Sequence, residues 1–179
     1  VCDLQDTFLP HIAPMPRVVK TTKAMMRIAK VLGMPISVTE QLPFKPTVEE
    51  LRALYTPGPD GAAPELEVAF STKSTFSMVK EPEMAARLLP ARASAVIMTG
   101  IEGHVCIAQT TRDLLAADKD VYLLVDAIAS TNAHACAVAL QQLQHAGAVL
   151  TTTEDLVFEL MGSAKHSGFK DVIKIIKEL

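Results

Sequence analysis

Residues 95–115 read AVIMTGIEGHVCIAQTTRDLL, and the fold is decided here. The apolar run Ala95-Val96-Ile97-Met98 ends at Thr99-Gly100. A short turn, Ile101-Glu102-Gly103-His104, follows, and a helical segment opens at Val105-Cys106. The thiol of Cys106 therefore stands where a strand ends and a helix begins. Unpaired N–H groups and the positive dipole end of that helix favour thiolate over thiol, as a nucleophile requires. The other two cysteines differ in setting. Cys2 lies in an apolar first strand and Cys136 in the Ala-rich stretch HACAVALQQL, so both read as core residues, the usual behaviour of free cysteine.

Outward from this stretch, short apolar strands alternate with helical patterns. Strands are expected over 1–4, 35–39, 66–70, 93–99, 120–125 and 148–151. Helices are expected over 16–33, 47–54, 81–89, from Cys106 onward, 132–146, 154–160 and 169–179. The helix of 16–33 is punctuated by Pro16 at its start and Gly33 at its end. The segment TPGPDGAAP (56–64) is a loop within one domain, since neither side of it is large enough to fold alone. Strands apolar on both faces and separated by helices predict an α/β protein. Its architecture is a three-layer αβα arrangement around a mostly parallel sheet, in one domain spanning 1–179.

Composition narrows the function. The chain has 179 residues, 49% of them hydrophobic and 4% aromatic, with no Trp. Its mean hydropathy is +0.26, and no apolar run reaches the roughly 18 residues that a membrane span needs. A net charge of −3 and pI near 6.0 argue against a general nucleic-acid binder. The basic residues on the first and last helices (Arg17, Lys20, Lys23, Arg27, Lys30; Lys170, Lys174, Lys177) read as solvated helix faces. Three scattered cysteines without metal-ligand spacing fit a reducing compartment, so an intracellular location is expected, cytoplasmic or mitochondrial. Val1 falls inside an apolar strand, which leaves room for an upstream targeting segment.

Ligands of parallel sheets bind outside the carboxyl ends of the strands. The polar residues placed there are Asp3 after the first strand, Lys73 after the third, and Glu102 and Cys106 after the fourth. Asp3 is suited to take the thiol proton, Lys73 to stabilise thiolate and carboxylate, and N–H groups at the helix start to hold an oxyanion.

These residues resemble the isochorismatase-like cysteine hydrolases. The resemblance runs through CDLQDTF (2–8), TEQ (39–41), KSTFSM (73–78), TGIEGHVCIAQTTRDLL (99–115) and VDAIAS (125–130), and it is closest to the isochorismatase-domain-containing branch. It implies a catalytic triad of Asp3, Lys73 and Cys106. It also implies a cis peptide between Ile101 and Glu102 that turns the Glu102 N–H toward the oxyanion beside that of Cys106. Phe8 and Phe76 would wall the pocket, and His104, the histidine nearest the site, either touches substrate or has a surface or helix-cap role. His145 and His166 have no ligand spacing and read as structural.

Departures from neighbouring branches matter too. Nicotinamidases of this fold carry an Asp-x-His metal motif with further histidines after the second strand. TEQLPFKPT (39–47) contains neither His nor Asp, so no metal and no cofactor are expected. Isochorismatases proper lack a cysteine nucleophile, so Cys106 points to thiol chemistry on an acyl or amide carbon. The expected activity is hydrolysis of a small-molecule amide C–N bond through a thioester. The alternatives are a ribonuclease activity, a label attached to some members, or a non-catalytic binding or scaffold protein. A homo-oligomer is expected because apolar helices are abundant.

Overall fold

The computed structural model describes residues 1–179. Five parallel strands form the sheet: β1 (Ile36–Gln41), β2 (Val68–Lys73), β3 (Ala95–Gly100), β4 (Asp120–Ile128) and β5 (Val149–Thr151). The helices are α1 (Met15–Val31), α2 (Glu49–Arg52), α3 (Pro82–Leu88), α4 (Cys106–Ala116), α5 (Ala133–His145), α6 (Thr153–Met161) and α7 (Phe169–Ile176). Short 3-10 turns occupy Asp6–Phe8 and Met78–Lys80.

β2 pairs with β1, and β3–β4–β5 form a second ladder. Cys2 joins the two pieces. It bridges Thr39 of β1 on one side and Gly100 of β3 on the other, both in parallel. The order across the sheet is therefore β2–β1–Cys2–β3–β4–β5. Hydrogen bonds on both sides hold this central seam: Cys2 N–H donates to Thr99 O (2.9 Å), Ile101 N–H to Cys2 O (2.9 Å) and Asp3 N–H to Thr39 O (3.1 Å).

The expected first strand over 1–4 is thus reduced to one bridging residue. Its extended run is broken at once by Asp3, whose φ of 51° lies in the left-handed region. Gly100 makes the seam possible. At its φ of 122°, a Cβ would lie 2.0 Å from the carbonyl oxygen of Cys2, so only glycine lets the two backbones approach this closely.

β4 shows why a parallel strand reads as a continuous apolar run. Val121 and Leu123 point into one core with Met84 of α3, Ile107 and Leu114 of α4, and Leu143 of α5. Leu124 and the partly buried Tyr122 point the other way, into a core with Met25 and Ile28 of α1, Leu156 and Val157 of α6, and Val172 of α7. Alternation with period two fills both faces. The helices α1, α6 and α7 cover one side and α3, α4 and α5 the other, giving the three-layer αβα fold.

Several boundaries differ from the sequence reading. β1 continues to Gln41, β2 starts at Val68 and runs on through Lys73, and β4 extends to Ile128. Lys73 is therefore the last residue of a strand, paired in register with Gln41, rather than a residue of the loop beyond it. α2 shrinks to a single turn and α7 ends at Ile176. A cavity of about 690 Å³ opens at the amino-terminal ends of β1 and β3, lined among others by Met25, Met26, Ile36 and Ile97. It lies away from the polar residues at the carboxyl ends.

Candidate active site

Three carboxyl ends meet across the seam. Asp3 leaves the central bridge, Lys73 closes β2, and Cys106 opens α4 just beyond β3. The left-handed turn at Asp3 lies at this junction. Its Oδ2 lies 2.7 Å from Lys73 Nζ, and its Oδ1 accepts a hydrogen bond from Thr39 Oγ1 at 2.9 Å. Lys73 is 1% exposed. Its ammonium also donates to Gln41 Oε1 (2.6 Å) and Thr75 O (3.2 Å), and it lies 3.5 Å from Cys106 Sγ. One buried cation thus links a carboxylate to a thiol, with an amide and a main-chain carbonyl fixing its position. A buried charge persists only when paired and hydrogen-bonded in this way.

The thiols are tuned in opposite directions. Burial pushes the Cys2 thiol well above the ordinary range, helped by neighbouring Cys106 and Asp3. Cys106 is lowered: the neighbouring Cys2 thiol and the Lys73 ammonium outweigh burial and the negative Asp3. For Lys73, burial favours the neutral amine, but the surrounding Cys2, Asp3 and Cys106 outweigh it and raise the ammonium above its usual value.

The backbone around Cys106 is open. The Ile101–Glu102 peptide is cis. Glu102 O accepts from the N–H groups of Val105 and Ile107, while the N–H groups of Glu102 and Cys106 themselves donate to no loop or cap carbonyl. No side chain caps α4. The Glu102 carboxylate is turned aside and held by Thr131, whose N–H and Oγ1 donate to Oε2 at 3.0 and 3.2 Å. His104 is held against Ser130 Oγ (3.1 Å) and lies 3.5 Å from Glu102 Oε2. Its side chain is tied to the loop after β4.

Phe8 packs edge-to-face against Phe44, ring centroids 5.0 Å apart, whereas Phe76 is 51% exposed between β2 and the Met78–Lys80 turn. His145 contacts the carbonyl of Gln141 within its own helix, and His166 Nδ1 accepts from Gly168 N–H; neither approaches the site. Cys136 is buried in the core, as read. Cys2 is buried too, but its reading as a core residue is incomplete. Its sulfur, the Cys106 sulfur and a carboxylate oxygen of Asp3 all lie within 4.8 Å of one another. Thr39, Gln41 and Cys2 thus surround the site without having been singled out. TEQ (39–41) carried the signal for two of them, because it ends a strand beside the strand of Lys73.

A parallel α/β sheet with its polar residues gathered at the carboxyl ends beside a topological switch belongs to the class of doubly wound folds that bind their ligands at that edge. The family model described as the isochorismatase domain matches residues 1–155, and the chain belongs to this family of isochorismatase-fold hydrolases. It is 38% identical over 180 residues to isochorismatase domain-containing protein 2 of Macaca fascicularis, covering 99% of this chain and 82% of that one. Among solved structures, a Caenorhabditis elegans protein described as MAR1 ribonuclease superposes with a TM-score of 0.87 at 35% identity, covering 98% of this chain and 86% of that one. The fold is also that of the Escherichia coli YcaC gene product, described as an octameric hydrolase of unknown specificity. That match has a TM-score of 0.82 at 20% identity over 97% of this chain and 84% of that one.

Proposed function

We propose that the protein is a thiol-dependent hydrolase of a small-molecule amide C–N bond, with Asp3, Lys73 and Cys106 as its catalytic residues. The observation carrying this reading is the buried Lys73 ammonium, 2.7 Å from the Asp3 carboxylate and 3.5 Å from the Cys106 sulfur at the start of a helix. Asp3 accepts the Cys106 proton, and Lys73 stabilises the thiolate. The sulfur attacks the amide carbon, and the N–H groups of Glu102 and Cys106 receive the oxyanion. As the tetrahedral adduct collapses, the C–N bond breaks and Asp3 returns its proton to the departing amine. Asp3 then takes a proton from water, which attacks the thioester and releases the acid and the Cys106 thiol. Phe8, Phe76 and His104 are assigned to the walls of the substrate pocket.

The test is a panel of small primary and secondary amides assayed for amine release, with the acyl-enzyme sought by intact mass. Wild type is expected to turn over at least one member, and Cys106→Ala to lose that turnover. Full turnover by Cys106→Ala ends the reading.

The description of the worm relative as a ribonuclease supports a second reading, RNA cleavage. Charge weighs against it here. Of the basic residues on α1, Arg27 is paired with Glu65 (2.8 Å) and Glu178 (3.3 Å), and Lys30 donates to the Glu65 carbonyl. A phosphate track needs such cations free. RNA degradation that survives repurification and changes with Cys106→Ala would favour this reading. Binding of a small molecule without turnover, the scaffold alternative, would appear as saturable heat in calorimetry with no product. We also assign the chain to a homo-oligomer, tested by light scattering coupled to size exclusion.

A further inference from the structure

Cys2 takes no part in the proposed hydrolysis, although its sulfur lies in the site. It is fully buried, and its thiol donates to Asp3 Oδ2 at 3.4 Å. Both sulfurs and an Asp3 oxygen share a space only 4.8 Å across. That spacing also suits a soft metal ion, but the Lys73 ammonium, in contact with Asp3 and Cys106, already supplies the positive charge there. The third cysteine is elsewhere: Cys136 Sγ packs over Gly103, where a Cβ would meet it at 2.5 Å.

We propose that Cys2 and Cys106 form a peroxide-sensitive modification site, in which Cys2 resolves the sulfenic acid of Cys106 as an intramolecular disulfide. The proposal rests on the functional reading above only in taking Cys106 as a reactive thiolate. The Cys106 thiolate attacks one oxygen of hydrogen peroxide, the O–O bond breaks, and Cys106 sulfenic acid forms while the departing hydroxide takes from Asp3 the proton that Cys106 had given it and leaves as water. The sulfur loses two electrons and the peroxide gains them. Cys2 then gives its proton to Asp3 Oδ2, its existing hydrogen-bond acceptor, and its sulfur attacks Cys106 Sγ. The S–O bond breaks, and the departing hydroxide collects the proton from Asp3 as a second water. Two thiols and one peroxide become one disulfide and two waters.

Geometry explains why this partner is needed. A thiol held as thiolate by a neighbouring cation is the form peroxide attacks. Unresolved, its sulfenic acid proceeds to sulfinic acid, which thiols do not reverse. Cys2 is shielded from external oxidant, so it meets only the sulfur beside it. Closing to the ~2.05 Å of a disulfide asks the sulfurs to approach by up to about 2–3 Å.

The experiment treats the reduced full chain with a several-fold molar excess of hydrogen peroxide, enough for two oxidations per thiol, alkylates remaining thiols, and maps peptides without reduction. Expected are a peptide pair linked through Cys2 and Cys106, a mass lower by about 2 Da, one alkylated thiol at Cys136, and full reversal by dithiothreitol. Cys2→Ser is expected to lose the link and to accumulate Cys106 about 32 Da heavier, not restored by thiol. Should that variant fail to fold, the wild-type map decides alone. Sulfinic acid at Cys106 of wild type without the link, a link to Cys136, or an unoxidised Cys106 each overturns the proposal. A link in a protein that cleaves no amide removes the hydrolase reading and leaves the resolving thiol standing; turnover without a link does the reverse.

Discussion

Lys73 touches both the Asp3 carboxylate and the Cys106 sulfur, so its removal bears on local stability and on thiol reactivity together. Its side chain is sealed from solvent, and its nearest charge is the Asp3 carboxylate. Removing one member of a buried pair strands the other, at a cost of about 3–5 kcal/mol. Lys73→Met is therefore expected to lower the unfolding free energy read by urea titration by that amount, and a loss under ~1 kcal/mol would contradict the buried-pair account. The same substitution withdraws the cation that helps hold Cys106 as thiolate. In wild type, Cys106 alkylation by iodoacetamide should rise with pH at values below the ~8.5 of a free cysteine. In Lys73→Met, the rise should shift upward, as read by peptide mass mapping across a pH series. Asp3, Lys73 and Cys106 were legible in the sequence because each stands where an apolar strand gives out. Thr39 and Gln41 were marked only by the motif TEQ, and the place of Cys2 in the site was not legible. Each gains its position from a partner far along the chain, through the bridge to Gly100 or the pairing of β1 with β2.

At the scale of elements, the helix positions followed from periodicity and punctuation. α1 and α5 lie within a residue or two of the spans read from Pro16, Gly33 and Asn132. Asn132 caps α5, its side chain accepting from Ala135 N–H at 2.9 Å, so Asn132→Ala should cost about 1 kcal/mol in thermal or chemical denaturation. Strand ends were less legible, because pairing with a neighbour extends a strand past its apolar run. β2 carries Ser71-Thr72-Lys73 and β1 carries Glu40-Gln41 for this reason. The first strand shows the opposite case: an apolar start that the left-handed Asp3 ends after one bridge. Gly100→Ala, which drives a Cβ into the Cys2 carbonyl, should destabilise beyond the usual 0.5–3 kcal/mol of single substitutions and abolish Cys106 reactivity together with stability.

Across the whole molecule, the three layers were legible because β4 is apolar on both faces and because helices separate the strands. The pairing of basic residues on α1 with Glu65 and Glu178 was not, since it depends on which loop passes beside the helix. Electrostatics also gives the fold an alkaline limit. The folded value of Lys73 lies above its unfolded value, so its contribution is complete below the unfolded ~10.4 and is lost as pH climbs through the folded value. The stability difference between wild type and Lys73→Met, followed by urea titration, should hold through the neutral range and shrink above that point.

The seam at Cys2 has a further consequence. Two ladders meet at the backbone of Cys2, and Asp3, Lys73 and Cys106 are divided among the seam and its two flanks. A molecule in which this seam parts separates the Cys106 sulfur from the Asp3 carboxylate and the Lys73 ammonium. Chemical competence is then a readout of cohesion between the halves. On gentle heating, fast alkylation of Cys106 should fade before the far-ultraviolet helical signal does, and simultaneous loss of the two would mean that the ladders part only when the whole chain unfolds.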